Sequence, residues 1–458
     1  MKKQLTYLFA ISLVCALAVE RISSQYFLNS DTFWYLKFGE YMWVNKTIPD
    51  IELFSWSVLG KQVIYQEWLF QVLLYLSSTF GVVGIKVFCG IIVLLALFTL
   101  FMLTRKTSLV QRALTISAAA LNLVPGLVAR AQLIDFPSWG FFLYAVSTGR
   151  YLWALPLLTI LWANLHASVI IAALTVWGAA IFPKINIGRF EYAPKNRKKL
   201  IITAALVTLA TLATPHGIDT WSYAIRAITD SDIRQYMVEW GPARLYAPLY
   251  RAIILLTLTA FSWKLVGQDK LNPYLLLIFI VSFASALAQL RYFPYAGLAL
   301  AAFVGLPGVK LKEKISKSLV TAVAIGSVML QIFIVGTGPK TFLQYFNSQD
   351  YPVGAVQYIK DNQVEKVLNW HNWGGYLIYE GVPTFIDGRS EVFNWESDVF
   401  KDYMKRYSKL EIETVADKYG AKAILVPVDS LIDKHVRLKP GNWTEKYRDD
   451  AAVIYTRQ

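Results

Sequence analysis

Cysteine is nearly absent from this chain: Cys15 and Cys89 are the two in 458 residues, and both fall in apolar stretches. That excludes a disulfide framework and a cysteine-based metal site. Charge is scarce too, at 17% Asp, Glu, Lys and Arg, and acid is scarcer than base, 31 residues against 45. Neither a GxGxxG nor a P-loop sequence occurs, so a nucleotide cofactor has no footing. Internal repeats and low-complexity tracts are missing as well.

What is abundant is apolar surface. With 55% hydrophobic residues and 15 Trp, and a mean hydropathy of +0.42, the chain is too apolar for an ordinary soluble protein. Apolar stretches of roughly 17 to 25 residues, the length of a bilayer crossing, recur along it. Eleven are centred near residues 13, 93, 121, 142, 158, 175, 207, 258, 281, 301 and 328. The fourth and fifth are short and joined by Gly149-Arg150, so ten or twelve crossings also fit the pattern.

A formal charge of +14 invites a nucleic-acid reading, but the position of the bases decides against it. They gather in every second loop: Lys2-Lys3, Arg105 to Arg112, Arg150, Lys184 to Lys199, Lys264 to Lys270, and Lys310 to Lys317. Glu191, Asp269 and Glu313 are the few acids among them. This is the positive-inside pattern, an orientation signal that puts the N-terminus in the cytoplasm and excludes a nucleic-acid partner. Lys2-Lys3, the apolar run and Ala16-Leu17-Ala18 also resemble a signal peptide, although the loop alternation works best with this span kept as an anchor.

The opposite loops then fall outside, and the unusual polar residues share that side: Asp31, Glu40, Glu67, Arg130, Gln132, Asp135, Asn164, His166, His216, Asp219, Glu239 and Arg291. Ionisable groups converging at helix ends on one face predict a single external active or binding site. The first external loop, about 60 residues, is longer than ordinary connections. It carries the acidic, aromatic segment Ser30-Asp31-Thr32-Phe33-Trp34-Tyr35 and later Gln66-Glu67-Trp68-Leu69.

The expected organisation is a membrane body over 1–338, including the loop 23–80, followed by a soluble domain over 339–458. In the latter, helical spacing through Ala355, Tyr358 and Ile359 is followed by strand-like Lys366 to Asn369 and Pro383 to Ile386, with turns at Gly374-Gly375 and Asp387-Gly388-Arg389. Helical patterns at 396–408 and 411–419, a buried strand at Ala421 to Pro427 and a last strand at Ala451 to Thr456 complete a small α/β layer domain. The fold class is thus a polytopic α-helical membrane protein with a C-terminal extracytoplasmic α/β domain, in the cytoplasmic (inner) membrane of a bacterium.

Asp31-Thr32-Phe33-Trp34, Ile48-Pro49-Asp50 with Phe54-Ser55, Gln66-Glu67-Trp68-Leu69 and Trp162-Ala163-Asn164-Leu165-His166 occur in that order. So do Thr214-Pro215-His216-Gly217, Glu239-Trp240, Arg291-Tyr292, Trp373-Gly374-Gly375-Tyr376 and Ile386-Asp387-Gly388-Arg389. Over nearly its whole length the chain resembles bacterial GT-C glycosyltransferases, in the branch similar to protein mannosyltransferases and lipopolysaccharide-core sugar transferases. The resemblance implies transfer of a sugar from a polyprenyl-phosphate donor to a glycan, lipid or protein acceptor outside the membrane. It also implies that Asp31, in the first external loop, acts on the acceptor hydroxyl. Many members carry two adjacent acids there; here Thr32 follows Asp31, which removes a carboxylate from any divalent-metal site, so no cofactor is firmly assigned and a divalent metal is kept as an alternative.

The chemistry suits these residue types. A carboxylate can take the proton of a poorly nucleophilic hydroxyl, and a leaving lipid phosphate needs cationic or hydrogen-bonding partners, for which Arg291, Arg130, His166 and His216 are the candidates. Glu67 and Trp34 are substrate-binding candidates. Each has a structural reading as well. Asp31 can cap a helix beginning at Thr32, and Trp34, Trp43, Trp56 and Trp68 can form an interfacial aromatic belt. Glu67 can pair with a lysine; the histidines can be structural, since their spacing fits no compact metal motif. Arg291 can meet lipid headgroups. A noncatalytic scaffold of the same fold and a glycolipid transporter remain alternatives, the transporter disfavoured because acids are not placed at mid-membrane.

Overall fold

The computed structural model describes residues 29–243, 247–267, 269–306, 351–405 and 407–457. The expected spans near 13 and 328, Cys15 and the expected domain boundary at 338 lie outside these residues. All nine remaining span centres fall in helices, from Gly81–Thr104 at 93 to Phe293–Gly305 at 301. By length and composition two of them, Gly81–Thr104 and Pro248–Val266, suffice to cross a membrane. The others are shorter and lean on breaks that the hydropathy pattern does not register.

By internal contacts the chain forms two compact units. The first takes in the described residues of 86–224 and 237–306 and is helical apart from one hairpin, β1 (Ile185–Ile187) with β2 (Phe190–Tyr192). Its helices begin where the sequence supplies caps. Ser108 accepts from Gln111 N at 3.3 Å, Asn196 from Lys199 N at 2.9 Å, and Asn272 from Tyr274 N at 3.0 Å with Pro273 in the first turn. Helix Phe293–Gly305 is buried along its whole length. It packs closely on Leu109–Leu123 because Gly297 has no side chain: a Cβ there would lie 2.7 Å from the Ala119 carbonyl oxygen. Small residues at such crossings let helices meet where dispersion rather than solvent drives association.

The second unit joins the described residues of 29–85, 225–236 and 351–457. Sequence reasoning had placed residues 23–80 with the membrane body; in the structure 29–85 belongs with the C-terminal segment. Helix Ser30–Asn45 packs on Trp68–Ser78 and on Gly374–Tyr379. Trp56 N donates to Thr384 O at 2.9 Å and Thr384 N to Phe54 O at 3.1 Å, so the expected strand at 383–386 is a single bridge to the first loop. Residues 225–236 join through Asp230, whose carboxylate accepts from Asn394 Nδ2 and Trp395 Nε1, both at 2.8 Å.

The sheet of this unit has the order β3 (Val367–Asn369), β4 (Ala423–Pro427), β6 (Ala452–Arg457), β5 (Trp443–Arg448). β3 and β4 are parallel, with Val367 opposite Ala423, and the other pairs are antiparallel. β4 is almost wholly buried, as its unbroken apolar run indicates. Strand β5 escaped the sequence reading because Thr444-Glu445-Lys446-Tyr447-Arg448 is charged, the composition of a sheet edge. Gly374-Gly375, read as a turn, begins the helix Gly374–Tyr379.

Candidate functional site

Asp31 sits inside the first turn of helix Ser30–Asn45 and does not cap it. The cap is Asn29, whose side chain accepts from Asp31 N at 3.2 Å and Thr32 N at 3.3 Å while Thr32 Oγ1 accepts from Asn29 N at 3.1 Å. The Asp31 carboxylate is therefore released from capping. It is 8% exposed, and its Oδ1 accepts from Trp34 Nε1, one turn further along, at 3.2 Å. Trp34 is buried and stacked on Tyr35 at 4.0 Å between centroids, and the Tyr35 hydroxyl donates to Glu67. Glu67 thus accepts from a tyrosine of the first-loop helix. Of the four tryptophans read as a belt, Trp56 donates to Val367 O at 3.2 Å and Trp68 is half-buried; Trp43 is exposed, with Lys46 Nζ 3.6 Å from its ring centre.

Behind this surface lies a charge cluster that sequence reasoning missed. Arg389 NH1 donates to Glu52 Oε2 at 2.6 Å, and NH2 to Asp387 Oδ2 at 2.6 Å and Ser55 Oγ at 3.1 Å. Glu52 and Asp387 are 0% exposed and Arg389 3%. Burial works against the arginine's charge, but Asp387 and Glu52 hold its pKa well above the ordinary value. Tyr65 donates to Glu52 Oε2 at 3.2 Å, and burial together with that carboxylate pushes its phenol well up. The turn Asp387-Gly388-Arg389 was visible in the sequence; its partner Glu52, 337 positions from Arg389, was not.

In the first unit the predicted cations stand at helix interruptions. Arg130, His166 and Gln289 adopt extended backbone, with φ of −126°, −161° and −147°, and each opens a one-turn 3-10 segment; His166 and Gln289 also end the helix before them, whereas Arg130 follows the irregular stretch 127–129. Arg291 lies within the last of these, Leu290–Tyr292, and Pro294 starts the next helix. Arg130 NH1 pairs with Glu239 Oε2 at 2.7 Å, and the Arg291 guanidinium lies over the Trp240 ring at 4.0 Å. Burial pushes the Glu239 carboxyl up, yet Arg130 and Arg291 outweigh it and hold the pKa below the usual range. Among the described residues Arg291 makes no hydrogen bond or ion pair through its guanidinium, leaving a fork of donors suited to an oxyanion.

His166 is organised by Asp135, a fully buried carboxylate. Asp135 Oδ1 accepts from Trp162 Nε1 at 2.8 Å and Ser168 Oγ at 2.5 Å and lies 2.9 Å from His166 Nδ1; Tyr295 donates to Oδ2. Because the Ser168 proton goes to Asp135, both neighbours of Nδ1 act as acceptors, and the network assigns the imidazole proton to Nδ1. His216 lies in the turn after Arg197–Ala210, where its backbone N–H donates to Thr214 Oγ1 at 3.1 Å. Among the described residues no three His, Cys, Asp or Glu side chains converge on a possible metal position.

No protein-family profile matches the sequence, and no curated protein aligns significantly with it. Solved structures do. The Archaeoglobus fulgidus oligosaccharyltransferase AglB, in complex with an inhibitory peptide and a dolichol-phosphate, aligns over 98% of this chain and 74% of its own with a TM-score of 0.59 at 10% identity. The same enzyme tethered to an acceptor peptide containing an NVT sequon gives a TM-score of 0.57 at 10% identity over the same shares. ArnT from Cupriavidus metallidurans bound to undecaprenyl phosphate covers 98% of this chain and 97% of its own at 10% identity, with a TM-score of 0.48, too low to bear on the fold. The fold of this chain is that of the GT-C glycosyltransferases.

Proposed function

We propose that this chain, having the GT-C fold, is a membrane glycosyltransferase that moves a sugar from a polyprenyl-phosphate donor to an acceptor glycan, lipid or protein. The observation that carries this reading is the Asp31 carboxylate, placed in the first-loop helix where the GT-C resemblance expects an acid, released from capping and held by Trp34. Asp31 takes the acceptor proton as the acceptor oxygen bonds to the anomeric carbon. The bond from that carbon to the phosphate oxygen breaks, and the polyprenyl phosphate leaves with the electron pair. Arg291 is assigned to this phosphate, supported by its uncommitted guanidinium and by the dolichol-phosphate bound in the A. fulgidus enzyme. Arg130 is assigned to the same anion less directly, since Glu239 occupies it, and so are His166 and His216; His166 would donate to the anion through Nε2 only as the imidazolium, because Asp135 holds the proton on Nδ1.

Comparing glycans and glycolipids by mass spectrometry from cells with and without the chain tests the reaction and names the sugar. A defined residue missing from the deletion strain is the expected result; identical profiles would leave a scaffold or transporter in its place. Arg291→Ala should weaken retention of vesicle-borne undecaprenyl phosphate by about 10- to 100-fold, on the scale of charge-assisted hydrogen bonds. Arg291→Lys should recover part of it, because the charge remains but the planar fork is lost. Equal retention by all three forms would remove Arg291 from the donor site.

The proposed setting is a bacterial inner membrane, with Lys195 to Lys199 cytoplasmic and the C-terminal domain outside, supported by the alternation of basic loops. Cysteines introduced as Asn196→Cys and Asn442→Cys should label from opposite sides with an impermeant thiol reagent. Labelling of both from one side rejects this orientation.

A further inference from the structure

The Asp31 carboxylate has a wall close beside its Oδ1, and the wall is a residue without a side chain. An ideal Cβ built on Gly388 would come 2.2 Å from Asp31 Oδ1, 3.2 Å from its Cγ and 3.5 Å from Trp34 Nε1. The Gly388 backbone lies outside the left-handed region, so glycine is not required there by φ. Space for the carboxylate is what the position needs.

That wall cannot easily retreat. On one side Asp387 Oδ1 accepts from Arg389 N and Nε, both at 2.9 Å, and on the other Arg389 is clamped to Glu52 at 2.6 Å. One residue earlier, the Ile386 carbonyl accepts from Asn369 Nδ2 at 2.8 Å, and Asn369 is the last residue of β3. The Arg389 guanidinium also lies 5.8 Å from the centre of the Trp34 ring, whose indole N–H holds the same Asp31 oxygen. The turn and the indole therefore fix the carboxylate from two directions.

The geometry points to Gly388 as a positioning residue for sugar transfer: the turn Asp387-Gly388-Arg389, anchored on the sheet and on Glu52, sets where the Asp31 carboxylate stands. The C-terminal domain would then contribute to the catalytic machinery itself. This inference rests on Asp31 being the base. Removing Trp34 as a donor should act in the same direction with smaller effect.

Gly388→Ala tests it. The new methyl overlaps the far end of one flexible side chain, so the carboxylate is displaced by about 1 Å while the backbone stays, and a misplacement of that size costs roughly 100-fold in rate. Transfer is read in membranes as the initial rate of adding the sugar that deletion of the chain removes. The expected result is a loss of about 100-fold in the wild-type background and no further loss in an Asp31→Asn background, where the group acted upon is already inactive. Full activity of Gly388→Ala, or an equal loss in both backgrounds, overturns the positioning role while leaving Asp31 as base. Full activity of Asp31→Asn alone overturns the base and the positioning role with it. Should Gly388→Ala fold poorly, adding Asp31→Ala should restore the thermal transition, because the clash is with that carboxylate; failure to restore it rejects the contact.

Discussion

Asp31→Asn should leave the protein folded and lower sugar transfer by roughly 100- to 10,000-fold, the usual contribution of a positioned general base. Three features make this substitution a clean test. Asparagine keeps the side-chain volume, so the close approach of Gly388 is unchanged. Its amide oxygen can still accept from Trp34 Nε1, which now holds Asp31 Oδ1 at 3.2 Å. The helix cap is Asn29, and the substitution does not touch it. What disappears is the ability to take a proton. Transfer within threefold of the parent, with the thermal transition unchanged, would show that another group activates the acceptor.

Arg389→Met should strongly destabilise the second unit. Methionine fills the space of the guanidinium stem but leaves Glu52 and Asp387, both 0% exposed, without their cation. Breaking a buried pair from one side costs about 3 to 5 kcal/mol, because a carboxylate is left uncompensated in a medium that solvates it poorly. For a unit of this size that corresponds to a drop on the order of 10 °C in its thermal transition, measurable as tryptophan fluorescence of the full chain in detergent. Pairing Arg389→Met with Glu52→Gln should recover part of the loss by removing one of the stranded charges. A transition unmoved by Arg389→Met would mean that water reaches the cluster.

The two expectations differ in kind. Asp31→Asn should be tolerated in folding because the Asn29 cap and the indole partner persist without the charge. Arg389→Met should not be, because the buried carboxylates of Glu52 and Asp387 depend on the arginine for neutralisation. In the proposed reading, chemistry and stability thus rest on neighbouring but separate groups, linked through Gly388.

Much of the architecture was legible from local pattern. The nine described span centres lie in helices, and β4 was visible as an unbroken apolar run. Arg130, His166 and Arg291 were picked out as polar residues at the ends of apolar stretches, and each stands at or within a helix interruption. Such features are readable because hydrophobic period and the rarity of charge in apolar sequence report burial along the chain itself.

What the sequence by itself determined, then, is helix placement, the apolar character of the chain, and the list of polar residues too costly to bury without purpose. Only the tertiary structure decided which of those residues meet. It brought Glu52 to Arg389 across 337 positions, gave His166 to Asp135 and Arg130 to Glu239, and assigned the first loop to the unit of the C-terminal sheet. The physical reason is that a buried ion pair or a close backbone approach leaves no periodic trace. Its energy depends on distance and on exclusion of water, and both are set by segments far apart in the chain.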